Sequence, residues 1–307
     1  MAVRAAAVIS AWRAQDLLQD RPREGQLSVL GPHGFVRLAY VEWGPSHASR
    51  TVVCLHGLTR NGRDFDPLAQ ALGRRGCRVV CPDLPGRGRS EWLQRTLDYD
   101  TPLYLSALTA LIARLGADRV DWVGTSFGGY IGMEMAGKRQ APVGKLVLND
   151  FGGCVPGATL RRISAHSGKN PQFHDLDEVE KYLREIFAPF GELTDAQWRH
   201  LAQHGVMSTA DGHLRLNHDP AITLPFLWPF ILDVPLWHTW DKVTCPVLVI
   251  RGAHSDFLTA ETMRQMQRRG LAAKRGLVRT TEFANCGHAP ALMAQEQIEV
   301  VADFLLS

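Results

Sequence analysis

Val123-Gly124-Thr125-Ser126-Phe127-Gly128-Gly129 follows a short apolar run and opens a helical one. A serine that is to attack a carbonyl must stand clear of the backbone that carries it. A sharp turn from strand to helix achieves this, and small residues two before and two after the serine relieve the crowding. The helix that begins there adds backbone N–H groups and a favourable dipole for a developing oxyanion. Ser126 is therefore the candidate nucleophile.

Working outward, short β-branched runs alternate with longer helical stretches. The runs are Thr51–Leu55, Arg78–Cys81, Arg119–Val123, Lys145–Leu148, Val247–Ile250 and Leu277–Phe283. Between them lie Asp64–Arg75, Pro102–Leu115, Phe127–Lys138, Ala260–Gln267 and Leu292–Leu306. Such alternation predicts βαβ units and a mostly parallel sheet covered on both faces, with ligands bound at the carboxyl ends of the strands. Ahead of it, Gln26–Leu30 and Phe35–Trp43 alternate in polarity around Gly-Pro-His-Gly and predict an antiparallel hairpin. From Phe151 to Trp240 no buried strand is legible, only amphipathic stretches such as Asp177–Phe187 and Thr194–His204 and a crowd of prolines and tryptophans. This reads as a helical insertion over the strand ends. The expected organisation is an extension over residues 1–24, a core of residues 25–150 and 241–307, and a cap over residues 151–240.

A serine hydroxyl needs a base near neutral pH. His288, in Asn285-Cys286-Gly287-His288-Ala289-Pro290, lies between the last strand and the last helix and emerges at the same sheet edge as Ser126. An acid must hold the histidine in the right tautomer. Asp256 follows the strand ending at Arg251, and it fits the chain order serine, acid, histidine. Asp150, at the end of the strand Lys145–Asn149, is the rival, and Asp256 is preferred to it. The oxyanion donors are expected to be the backbone N–H of Phe127 and that of Leu58, in the loop His56-Gly57-Leu58-Thr59-Arg60.

Together, His56-Gly57, the loop Asp83-Leu84-Pro85-Gly86-Arg87-Gly88-Arg89-Ser90, the Ser126 turn, Asp256 and Gly287-His288 resemble the α/β-hydrolase fold family in residue type and order. The resemblance runs from about Val36 to the C-terminus. It implies an α/β fold with a mostly parallel eight-stranded sheet flanked by helices and a helical cap inserted after strand six. It implies a mainly structural role for the Asp83–Ser90 loop. Within the family, epoxide hydrolases and haloalkane dehalogenases place aspartate where Ser126 stands. Carbon–carbon hydrolases usually carry tryptophan after the histidine, where this chain has Ala289. The leading reading is a serine carboxylesterase or lactonase acting on a small or medium ester, with carbon–carbon bond hydrolase of the meta-cleavage-product type, acyltransferase and non-catalytic small-ligand receptor as alternatives. Phe187, Phe190, Trp228, Phe230 and Trp237 are candidates to line an acyl pocket.

The bulk composition agrees. The chain has 307 residues, 45% of them hydrophobic, with Lys+Arg 34 against Asp+Glu 31. An excess of +3 without a basic cluster argues against nucleic acid as partner. The six cysteines form no C-x-x-C pair and read as reduced, buried thiols. The apolar patch Ala5–Trp12 is short for a signal segment and no later run approaches a membrane span, so a cytoplasmic protein without membrane partner is expected. His200 and His204 stand four apart on a predicted helix, yet the H-E-x-x-H pattern is missing; they read as a solvated face. No metal and no cofactor are expected.

Overall fold

A computed structural model describes residues 21–167, 171–226 and 232–307. The strands in chain order are β1 (Arg23–Gly31), β2 (Gly34–Trp43), β3 (Thr51–Leu55), β4 (Arg78–Pro82), β5 (Val120–Thr125), β6 (Val143–Asn149), β7 (Cys154–Val155), β8 (Gln172–Phe173), β9 (Val206–Ser208), β10 (Leu214–Leu216), β11 (Val234–Pro235), β12 (Val247–Gly252) and β13 (Val278–Phe283). The α-helices are α1 (Asp66–Arg74), α2 (Thr101–Leu115), α3 (Phe127–Ala136), α4 (Gly157–Ser167), α5 (Leu176–Ile186), α6 (Asp195–His204), α7 (Trp237–Trp240), α8 (Ala260–Arg268), α9 (Leu271–Lys274) and α10 (Gln295–Leu306).

Eight strands form one sheet in the order β1-β2-β4-β3-β5-β6-β12-β13. The predicted hairpin is there, paired from Arg23↔Glu42 to Gly31↔Gly34, and β2 also runs antiparallel to β4. All other pairings are parallel. Period-two alternation sorts the strand residues between two cores. Val53, Leu55, Trp122, Leu146, Leu148 and Val249 face the side covered by α2 and α3. Val52, Cys54, Val123, Val147, Leu248 and Ile250 face the side covered by α1 and α10. A strand buried on both faces cannot alternate in polarity, which is why these runs read as continuous apolar stretches.

The insertion falls between β6 and β12, as the pattern predicted, but it is not wholly helical. It holds a three-stranded sheet, β8-β10-β9, and the pair β11-β7. Each of these strands has two or three residues, too few for an alternating pattern to be visible. The insertion has its own apolar centre of Phe173, Val179, Leu183, Phe190, Trp198, Leu201 and Leu216. β1 begins at Arg23, inside the stretch read as an extension; residues 1–20 of that stretch lie outside the described residues. All six cysteines are unpaired, five of them buried. No helix of the described residues is long and apolar enough to cross a membrane.

Candidate active site

The turn between β5 and α3 bends as its glycines require. Ser126 has φ 52° and ψ −112°, a conformation that a residue with a side chain adopts only under constraint. A Cβ on Gly124 would lie 2.2 Å from the Gly128 carbonyl oxygen, and one on Gly128 would lie 2.0 Å from that of Leu55. Neither position admits a side chain. The Ser126 N–H is held by the Asn149 carbonyl at 2.9 Å, which ties the turn to the end of β6.

Ser126 Oγ lies 2.8 Å from His288 Nε2. The other ring nitrogen, Nδ1, lies 2.5 Å from Asp150 Oδ2. Because a carboxylate only accepts, Nδ1–H donates to Asp150, and Nε2 is left to accept from the serine O–H. The Phe257 ring stacks on the imidazole at 4.2 Å and 20°.

The structure thus corrects one expectation: Asp150, not Asp256, stands against His288. Asp150 is fully buried at the end of β6, in a left-handed conformation with φ 55°. Its Oδ1 accepts from Gly252 N–H at 3.1 Å, and its Oδ2 accepts from Ser255 Oγ at 2.6 Å. Ser255 is itself fixed, because its Oγ accepts from the N–H groups of Phe257 and Leu258 at 3.1 and 3.2 Å. The loop after β12 therefore sends Ser255 inward and Asp256 outward. The Asp256 side chain is 53% exposed and makes a bidentate pair with Arg162 of α4. Ser255 was not read from the sequence at all. The signal for Asp150 was its place at the carboxyl end of the strand next to β5.

The loop His56–Arg60 lies beside the serine: a Cβ on Gly57 would sit 3.9 Å from Ser126 Cβ. His56 organises this loop. Leu84 N–H donates to its Nε2 at 3.0 Å, so its Nδ1–H donates to the Gly57 carbonyl at 2.7 Å. Burial, with Arg87 and Arg60 adding to it, pushes the His56 pKa down to about 3, so the ring is neutral. Arg60 N–H also binds the Gly57 carbonyl, at 3.2 Å. With that carbonyl held, the N–H across the same planar peptide, that of Leu58, must point the opposite way. Arg87 Nε donates to the Leu58 carbonyl at 2.9 Å. Phe127 is the first residue of α3, where N–H groups point out of the helix end. The Asp83–Ser90 loop is a strut: Asp83 accepts from Gly62 N–H and Arg89 N–H at 2.8 and 2.9 Å.

The insertion grips the loop that carries His288. Gly287 N–H donates to the Pro189 carbonyl at 2.7 Å and Ala291 N–H to that of Phe190 at 3.2 Å. Of the expected pocket aromatics, Phe187 and Phe190 stack on one another at 4.7 Å and belong to the insertion's own apolar centre. Trp237 packs over Gly153 and under Arg269. Trp228 and Phe230 lie outside the described residues. His200 and His204 do not form a solvated face: both are half-buried and turn toward Asp66 of α1. The helix-period reading could not see that α6 packs on the core along that side.

Comparison with known proteins agrees with this geometry. The group described as the alpha/beta hydrolase family matches residues 52–304. The chain is 42% identical over 294 residues to the 3-hydroxybutyrate-oligomer hydrolase of Cupriavidus necator, covering 92% of this chain and 97% of that protein. A Rickettsia typhi protein of solved structure superimposes with a TM-score of 0.85 at 31% identity, over 93% of this chain and 99% of that one. An alpha/beta hydrolase from Novosphingobium aromaticivorans superimposes with a TM-score of 0.81 at 31% identity, over 93% of this chain and 98% of the other.

Proposed function

The chain belongs to the alpha/beta hydrolase family and is a hydrolase of it, and from that premise we propose that it cleaves carboxylic esters through an acyl-enzyme on Ser126, with short oligoesters of 3-hydroxybutyrate as its substrate class. The observation that carries this reading is the hydrogen-bonded chain Ser126–His288–Asp150 at the carboxyl edge of the sheet. The substrate class rests on the likeness, over nearly the whole length of both chains, to the oligomer hydrolase.

In this mechanism Ser126 Oγ attacks the ester carbonyl carbon while His288 Nε2 takes the hydroxyl proton. Asp150, paired with Nδ1–H, stabilises the imidazolium that forms. The negative oxygen of the tetrahedral intermediate is held by the N–H groups of Leu58 and Phe127; one such donor is typically worth about 10² to 10³ in turnover. Collapse breaks the carbon–oxygen bond to the leaving alcohol, which receives the proton from His288. Water then gives its proton to His288 and attacks the acyl carbon; the bond from that carbon to Ser126 Oγ breaks, His288 returns the proton to Oγ, and the acid leaves. The insertion serves as a cap whose contacts on both sides of His288 set the depth of the acyl site.

The test is hydrolysis of 3-hydroxybutyrate dimers and trimers alongside a p-nitrophenyl ester series, in wild type and Ser126→Ala. Turnover of both that vanishes in the variant supports the whole reading. Cleavage of the chromogenic esters alone keeps the esterase and removes the substrate class. No turnover, with no labelling of Ser126 by a fluorophosphonate, removes both.

A further inference from the structure

Away from the Ser126 site, two helices bring metal-ligating side chains together across the seam between insertion and core. α6 begins with a capping box, in which Thr194 and Gln197 each satisfy the other's backbone N–H. That firm start sets the helix phase. His200 and His204, four apart, therefore project one above the other from the same face. The face lies on Asp66, the first residue of α1, which is 6% exposed. The ligand atoms of Asp66, His200 and His204 all lie within 4.8 Å of one another. The two rings are 4.6 Å apart.

We propose that Asp66, His200 and His204 form a binding site for a divalent transition-metal ion of the zinc, cobalt or nickel type, which joins the insertion to the core. Two imidazoles and a carboxylate are the donors such ions select, and they leave a fourth position for water. Bonds of about 2.0–2.2 Å place tetrahedral ligand atoms roughly 3.3 Å apart, so side-chain rotation closes the set around the ion. The His204 ring makes no hydrogen bond among the described residues. Trp43 Nε1 donates to Asp66 Oδ1 at 3.2 Å and orients the carboxylate.

The opposing charge is Arg63. It holds Asp66 Oδ2 through Nε at 2.7 Å, and its backbone carbonyl accepts from His200 Nε2 at 2.9 Å. Loading displaces the guanidinium from Oδ2 and frees His200 from the carbonyl, with its proton moved to Nδ1. Arg63 is thus a built-in competitor that lowers affinity. The neighbouring Arg60–Asp64 pair is self-neutralising.

The experiment titrates the tag-free full chain with Co²⁺, read by its ligand-field absorption, and with Zn²⁺, read by calorimetry and thermal unfolding. One ion per chain, a four-coordinate spectrum without a thiolate charge-transfer band, and a raised Tm are expected. His204→Ala and His200→Gln each lower affinity by at least about tenfold, the loss that follows removal even of a residue that only supports a metal ligand. Both variants keep metal-free ester hydrolysis, which reports that they fold. Arg63→Gln tightens binding, an effect that a purely structural His–Asp cluster does not produce. Equal affinity in wild type and His204→Ala, a thiolate band, or Arg63→Gln binding no tighter than wild type overturns the proposal.

Discussion

Asp150 and Asp256 lie on loops at the same edge of the sheet, after adjacent strands β6 and β12, and their surroundings are opposite. Asp150 is enclosed, with Gly252 N–H, Ser255 O–H and His288 Nδ1–H converging on its two oxygens. Asp256 is half in solvent, and its side chain pairs with the Arg162 guanidinium. A carboxylate whose two oxygens accept from several fixed donors is held in one position. One at the surface is screened, and its ion pair contributes little. Chain order and strand edge were therefore necessary signs of the acid but did not choose between the two. Enclosure chose.

The contrast is sharpest in turnover. Asp150→Asn is expected to lower kcat on any accepted ester by about 10⁴, because an amide favours the wrong histidine tautomer and cannot stabilise the imidazolium. A loss below tenfold would return the role to another acid. Ser255→Ala comes next. It removes a hydrogen bond to a buried charge, typically about 1.5–3 kcal/mol, and a fall of roughly ten- to a hundredfold in kcat is expected with KM little changed. An unchanged kcat would show that Gly252 N–H alone holds Asp150.

Enclosure also governs acid stability, and His56 is the group to test. Its folded pKa is depressed to about 3 by burial, whereas the unfolded chain takes up the proton near the ordinary value of about 6.5. The unfolded state then binds more protons between these values, so stability falls as pH falls through that window. The expected loss is about 2 kcal/mol from this group between pH 7 and pH 5, measured by urea unfolding. His56→Gln should be less stable at pH 7 but lose less between the two pH values. An equal slope in both proteins would contradict the assignment. The smallest effect belongs to Asp256→Asn: activity within about twofold of wild type, as for an ordinary exposed position. A drop comparable to that of Asp150→Asn would reverse the comparison.

Much of the architecture was legible because it is periodic. Runs such as Thr51–Leu55 and Val247–Ile250 are apolar throughout since both sheet faces are covered, and the structure places strands on them. Gly124 and Gly128 were legible as small residues flanking Ser126, and the structure shows backbone oxygens about to be touched at both. The short strands of the insertion were not legible, because two residues have no period. Nor were Phe187 and Phe190 as members of an inner core, or His200 and His204 as residues facing Asp66. In each case the partner lies far away in the chain.

The sequence by itself determined the strand-to-helix turn at Ser126, the alternation that builds the parallel sheet, and the position of His288 on the last loop of that sheet. These follow from local sterics and from periodicities confined to neighbouring residues. Only the tertiary structure decided which aspartate meets His288, that Ser255 supports it, and which face of α6 is covered. Those outcomes depend on the direction in which a loop residue points once strands distant in sequence are paired. A turn of one residue, from Ser255 to Asp256, exchanges the enclosed side of the loop for the solvent.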